Sequence, residues 1–244
     1  MNSDVTISLV LSALNEEKRF SIAISDFDSS LQRVTPGANW EYILINDGSK
    51  DSTPKLMNEL AQNRKNVRVI HHEKPMGIGY SYRQGIQIAQ GTHVVLGFCD
   101  APCDSKELDR FFSRIGEADM TISYIVNLAQ IKNRLRYFLS RSFTFIVNTT
   151  FGHSLTYYNG LSSFKRKALQ QIPIKSKRFA AHTEIIVRLL ANRSTFVEVG
   201  MTQNVYGRQL SQAVRPKSIA DVLRTLVHLV NDLKVRRKPK RTSI

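Results

Sequence analysis

Asp100 closes the apolar run V-V-L-G-F-C-D that begins at Val94, with Cys103 and Asp104 just beyond it. A strand that ends in an acid holds its carboxylate at the mouth of a parallel sheet, where open α/β folds bind ligands. One carboxylate together with ligand phosphates is also a common way to hold a hard cation such as Mg²⁺. The plainer alternative is a strand running into an Asp-containing turn. Three other groupings have suggestive spacing. Asn46-Asp47-Gly48-Ser49 ends a second apolar run and offers an amide and a carboxylate as acceptors. Gly77-Ile78-Gly79 permits a tight turn and close approach by a ligand. Lys74 and Arg83 flank it, each either a phosphate contact or a solvated surface charge. Arg134, Arg136 and Arg141 stand among Leu135, Phe138, Leu139, Phe143, Ile146 and Val147, a helical apolar spacing. That pattern suits an interfacial segment presenting arginines to a phosphate headgroup. A core-facing helix with a basic outer face would look the same.

The elements that must position these groups alternate. Val5–Ser12, Tyr42–Ile45, Val67–His71 and Thr92–Phe98 read as strands. Helical patterns separate them: one to about Gln32, one capped by Ser52 or Thr53 with Pro54 in its first turn, and one from Gly77 to about Gln90. This order predicts a mostly parallel α/β sheet covered by helices on both faces. Right-handed crossovers bring 12–16, 46–49 and 98–104 together at one edge. Further on, the pattern predicts helices at Lys106–Arg114, Arg134 to about Thr150, Thr183–Ala191 and Ser218–Leu233. Met120–Val126 and Thr195–Val199 read as strands. Tyr157–Phe164 reads as strand or loop, and Lys167–Gln171 as a short helix.

The 244 residues carry a net charge of +15, distributed unevenly: residues 1–104 sum to −2 and residues 105–244 to +17. The second half therefore faces something anionic, whether phosphates, a membrane surface or nucleic acid. No aromatic-plus-basic motif of a known nucleic-acid binder occurs, which argues against DNA or RNA as partner. Two cysteines, Cys99 and Cys103, imply no disulfide framework and suit a reducing compartment. Their spacing lacks the second ligand pair of a zinc site. No window reaches the roughly 18 apolar residues of a membrane span, and the N-terminus reads as a first strand. The tail Lys234–Arg241 holds six cations, each contributing about 1 kcal/mol near an anionic leaflet.

Three blocks of the first half, L-S-A-L-N-E-E, I-N-D-G-S-K-D-S-T and H-E-K-P-M-G-I-G-Y-S-Y-R-Q-G-I-Q-I-A-Q-G, resemble in order and spacing the family 2 glycosyltransferases, in particular the dolichyl- or polyprenyl-phosphate sugar synthases. Y-Y-N-G-L-S-S-F-K-R-K-A-L, H-T-E-I-I-V-R-L-L and V-Y-G-R-Q-L-S extend the resemblance through the second half. It implies a GT-A, Rossmann-like fold. The expected organisation is one domain over 1–217, with a nucleotide-sugar half (1–104) and an acceptor half (105–217). An amphipathic helix and basic tail over 218–244 would follow.

The resemblance also implies inverting transfer from a GDP- or UDP-sugar to a polyprenyl phosphate, assisted by Mg²⁺ or Mn²⁺. Ala13, Asn15, Glu16, Asn46, Asp47, Lys74, Gly77 and Asp100 would bind the nucleotide sugar, and Asp100 would hold the metal. Arg208 stands in place of a phosphate-binding lysine, and Arg215 or Lys217 would add charge as the leaving group departs. Arg134, Arg141, Arg208 and Arg215 would bind the acceptor phosphate. Glu184 is the candidate general base for a hydroxyl acceptor; a lipid phosphate needs none. The family's D-x-D is F-C-D here, with Phe98 in place of the first acid. That departure supports the alternative of a catalytically inactive binding module. A second alternative is the same fold acting on a sugar hydroxyl in cell-surface glycan assembly. The expected location is cytoplasmic and peripheral to the membrane, with a membrane-protein subunit as a candidate partner.

Overall fold

The structure is a computed structural model that describes residues 6–37, 39–100, 103, 105–131, 134–204 and 216–237. Its first half runs β1 (Ile7–Ala13), α1 (Phe20–Val34), β2 (Trp40–Asn46), α2 (Thr53–Asn63), β3 (Val67–His71), α3 (Ile78–Ile88) and β4 (His93–Phe98). The second half runs α4 (Ser105–Phe112), β5 (Met120–Ile125), α5 (Leu128–Ile131), α6 (Arg134–Phe151), β6 (Ser162–Lys165), α7 (Arg166–Gln170), α8 (Ala180–Ala191), β7 (Phe196–Met201) and α9 (Pro216–Arg237). The strands form one seven-stranded sheet in the order β3-β2-β1-β4-β6-β5-β7.

All pairings are parallel except those of β6, which runs antiparallel to both β4 and β5. The central strands are apolar on both faces because both faces are covered. Val10, Ile43, Ile45, Val94 and Leu96 point into a core closed by α3 and α8. Leu9, Leu11, Leu44 and Val95 point into the opposite core with Phe20, Ile24, Phe27 and Leu31 of α1. Those four α1 residues recur at helical spacing, so one stripe of α1 is buried.

The predicted fold class is the observed one, and the long elements lie within a few residues of their predicted bounds. The short α5 was not anticipated, and α8 starts at Ala180 rather than Thr183. The chain switches direction at β1, with β2 and β3 on one side and β4 on the other. The register places Ser12 beside Phe98 and Ala13 beside Asn46. The expected meeting of the three strand ends is therefore present, at the switch point that favours ligand binding.

Candidate active site

The loops after β1 and β2 are sewn together by short side chains. Asn15 adopts φ 58°, and its N–H donates to Ser49 Oγ at 3.0 Å. Its Oδ1 accepts from Lys50 N–H at 2.8 Å. Glu16 N–H donates to Thr53 Oγ1 at 2.9 Å. Ala13 is buried, and its carbonyl accepts from Asp47 N–H. Asn46 Oδ1 accepts from Ser49 N–H at 2.9 Å, while its Nδ2 lies 3.2 Å from His71 Nδ1. The side-chain oxygens of Asn15 and Asn46 thus brace the edge on which a nucleotide would rest.

Asp47 is more fully committed. Its Oδ1 accepts from Met76 N–H at 2.7 Å and lies 2.8 Å from His72 Nδ1; its Oδ2 accepts from Gly77 N–H at 2.9 Å. A carboxylate so occupied organises the 72–77 loop. Gly77 has φ +95°, and a Cβ on it would sit 2.4 Å from Lys177 O; on Gly79 it would sit 2.3 Å from Ser176 O. The close approach these glycines permit is made by the protein's own 176–177 segment. Arg83 belongs to the same junction: its Nη1 donates to Ile174 O at 2.8 Å, so it holds carbonyls rather than a phosphate. Lys74 is exposed beside this loop.

The surroundings of Glu184 speak against the expected role of general base. It lies on α8 at 1% exposure. Its Oε2 accepts from Lys175 N–H (2.9 Å) and Ser176 N–H (2.8 Å), and its Oε1 accepts from Arg188 Nε at 2.9 Å. Arg188, itself buried, continues to Asp232 of α9 at 2.7 Å. A general base needs an accessible lone pair within reach of the acceptor. Glu184 instead clamps the 174–176 loop.

Among the described acids at this edge, Asp100 and Glu16 combine burial with oxygen capacity left. Asp100 Oδ1 is buried and has no hydrogen-bond partner. Burial pushes the Asp100 carboxyl up, against the pull of a backbone N–H and of Arg19. Glu16 Oε2 lies 4.0 Å from Arg19 Nη1. Its carboxyl is pushed from 4.5 to about 7, first by burial, next by the charge of Asp100, with Arg19 opposing. Two crowded carboxylates, one with an orphaned buried oxygen, fit a divalent cation. Among the described residues no three His, Cys, Asp or Glu side chains cluster as a metal cage. Donor diphosphate and water would have to complete the shell, as is usual for Mg²⁺.

Phe98, in the place of the first acid, is 38% exposed, and its ring centroid lies 6.5 Å from that of Tyr82. Tyr82, His72 and Arg188 were missed from sequence. Tyr82 reads there as a core aromatic, and nothing in the spacing ties His72 to Asp47 or Arg188 to Asp232. Arg134 and Arg141 are exposed on α6. So are Leu135 (65%), Phe138 (66%), Phe145 (70%) and Ile146 (50%), while Thr144 and Val147 seat the helix on the body. Asp104, Arg208 and Arg215, the Lys217 side chain and the tail from 238 lie outside the described residues.

The Glycosyl transferase family 2 profile matches residues 8–173, from β1 to just past α7. Glycosyltransferase AglD of Haloferax volcanii is 25% identical over 199 residues, covering 79% of this chain and 32% of AglD. Dolichyl-phosphate beta-glucosyltransferase ALG5A of Trichomonas vaginalis is 24% identical over 198 residues, covering 76% of this chain and 61% of its own length. The human dolichyl-phosphate beta-glucosyltransferase is 30% identical over 109 residues, 43% of this chain and 34% of the relative. The chain thus spans between about a third and three fifths of these relatives. Among solved structures, glucosyl-3-phosphoglycerate synthase from Mycobacterium tuberculosis, in complex with Mn²⁺, UDP-glucose and phosphoglyceric acid, superposes with a TM-score of 0.70 at 19% identity. That superposition covers 93% of this chain and 80% of the other. Strand ends gathered at a topological switch point, and a profile match running through both halves of the sheet, lead to one assignment: the chain belongs to glycosyl transferase family 2.

Proposed function

We propose that this chain transfers a hexose from a nucleotide diphosphate sugar to a polyprenyl phosphate, working peripherally at an anionic, cytoplasm-facing membrane surface. The observation that carries the lipid acceptor is the outer face of α6. Leu135, Phe138, Phe145 and Ile146 stand in solvent beside exposed Arg134 and Arg141. Leu223 (60%) and Val227 (59%) of the neighbouring α9 are also exposed. Apolar side chains next to arginines suit an acyl–headgroup boundary. No helix among the described residues is long and apolar enough to cross a membrane, so contact by this face would be lateral.

The buried state of Glu184 favours the same acceptor. A phosphate oxygen is already anionic and attacks C1 of the sugar without a base. The bond from C1 to the diphosphate breaks, and the nucleoside diphosphate leaves with the electron pair. Asp100, with Glu16 beside it, would hold a divalent cation, which when bound neutralises the leaving diphosphate. The hydroxyl-acceptor alternative loses its proposed base, because both oxygens of Glu184 are spent.

The test is transfer from radiolabelled UDP-glucose, then from GDP-linked sugars, to polyprenyl phosphate in vesicles with and without anionic lipid. Glucose comes first because the dolichyl-phosphate relatives are named glucosyltransferases. Solvent-extractable glycolipid that requires Mn²⁺ or Mg²⁺ is the expected result. Transfer to soluble glycan hydroxyls with none to lipid phosphate would overturn the acceptor. Absence of both transfer and nucleotide binding would return the inactive binding module suggested by Phe98.

A further inference from the structure

Tyr82 of α3 is 1% exposed, and its hydroxyl has no hydrogen-bond partner. Buried hydroxyls are almost always paired, so an orphan calls for an explanation. The ring is held from two sides, by Phe98 at 6.5 Å and by His182 at 6.0 Å. His182 does not satisfy the hydroxyl: its Nε2 faces Ser162 Oγ at 3.0 Å, and burial holds the imidazole neutral, down to about 4. After burial itself, the Asp100 carboxylate is the larger of the influences pushing the Tyr82 phenol up. Asp100 Oδ1 is likewise buried and without a hydrogen-bond partner. Two unmet polar atoms, one from α3 and one just past β4, thus stand on either side of the contact between Tyr82 and Phe98, the residue two before Asp100. The phenyl ring of Phe98 occupies the position where the family motif has an acid.

We propose that the Tyr82 hydroxyl and Asp100 Oδ1 together hold the hydrated divalent cation. Asp100 ligates the cation directly, and the hydroxyl accepts a hydrogen bond from a cation-bound water. A phenol has lone pairs for that water and a proton to offer a phosphate oxygen, and Mg²⁺ characteristically keeps several of its waters. Tyr82 is then a positioning residue for the water shell of the cation, packed against the ring that stands in place of the motif's first acid. This inference rests on the reading that Asp100 binds the cation.

Calorimetric titration of Mn²⁺ into the whole chain, in the presence of UDP and separately of GDP, tests both in order. If the unaltered protein binds Mn²⁺ with neither nucleotide, the Asp100 reading fails and this inference with it. If it binds, Asp100→Asn should abolish the Mn²⁺-dependent heat. Tyr82→Phe should weaken Mn²⁺ affinity by about tenfold, the scale seen when outer-shell partners of metal ligands are lost. The metal-free melting temperature of Tyr82→Phe should be unchanged or raised, because the phenyl ring keeps the packing and removes an unpaired hydroxyl. Unchanged Mn²⁺ affinity in Tyr82→Phe would overturn the role of Tyr82 and leave that of Asp100 standing. A fall of several degrees in the metal-free melting temperature would also overturn it, since the hydroxyl would then have a structural partner.

Discussion

The carboxylates of Asp47 and Glu184 each accept two backbone N–H groups and face one further polar side chain, His72 or Arg188. Asp100, by contrast, keeps an oxygen with no partner, and Glu16 lies 4.0 Å from Arg19. By residue type the four are interchangeable. By surroundings they are opposites: the first pair is spent on shaping loops, and the second is left with capacity that folding does not use. Unused capacity in a buried acid costs stability, and folds retain it where a ligand repays the cost.

The sharpest way to break this contrast is to remove Glu184. Glu184→Ala would strand the Arg188 guanidinium at 4% exposure, together with two loop N–H groups. Equilibrium urea unfolding should show a loss of about 3–5 kcal/mol, the usual consequence of breaking a buried ion pair on one side. A loss below about 1 kcal/mol would move Glu184 out of the structural pair.

Asp47→Asn keeps the shape and removes the charge on which Met76 N–H, Gly77 N–H and His72 converge. A loss of about 2 kcal/mol is expected from charge-assisted hydrogen bonds. Amide exchange should quicken at Met76 and Gly77 in particular.

Glu16→Gln should act in the opposite direction and only at higher pH. The folded protein raises the Glu16 carboxyl from 4.5 to about 7. Its contribution to stability is therefore complete below about 4.5 and is lost as pH rises through about 7. In the absence of metal, Glu16→Gln should melt with the unaltered protein at pH 4 and about 3 °C above it at pH 8. A variant that is equally stable at both pH values would show that Glu16 is not strained by Asp100.

Asp100→Asn should cost no stability in metal-free protein and should raise it slightly at pH 8, because burial opposes the Asp100 charge, alongside loss of metal-dependent nucleotide binding. A large loss in metal-free urea unfolding would place Asp100 with Asp47 and Glu184.

The sheet was legible because strands buried on both faces read as unbroken apolar runs, such as V-V-L-G-F and Y-I-L-I, between turns rich in Gly, Asn and Asp. The direction of β6 was not legible, since four residues, S-S-F-K, carry no sign of which neighbour they join. The candidate acids could be picked out along the chain, but their division into bonded and unbonded was hidden. Whether Glu184 is spent depends on Lys175 and Ser176 turning their N–H groups toward it, and on α9 bringing Asp232 to Arg188. The Tyr82 hydroxyl was hidden for the same reason, because a missing partner is a property of space and not of spacing.

The antiparallel strand β6 has a consequence for how this chain can be made. It pairs His93 with Lys165 and Leu96 with Ser162, so the segment that ends at residue 104 is incomplete without residues made much later. On the ribosome, β4 must wait for β6 on the order of several seconds at ordinary elongation rates. Through that interval its edge is open to any other strand that meets it. A fragment cut at residue 104 would be fixed in that state and should aggregate. Splitting the protein after α7, with β6 retained, would leave β4 paired on both sides.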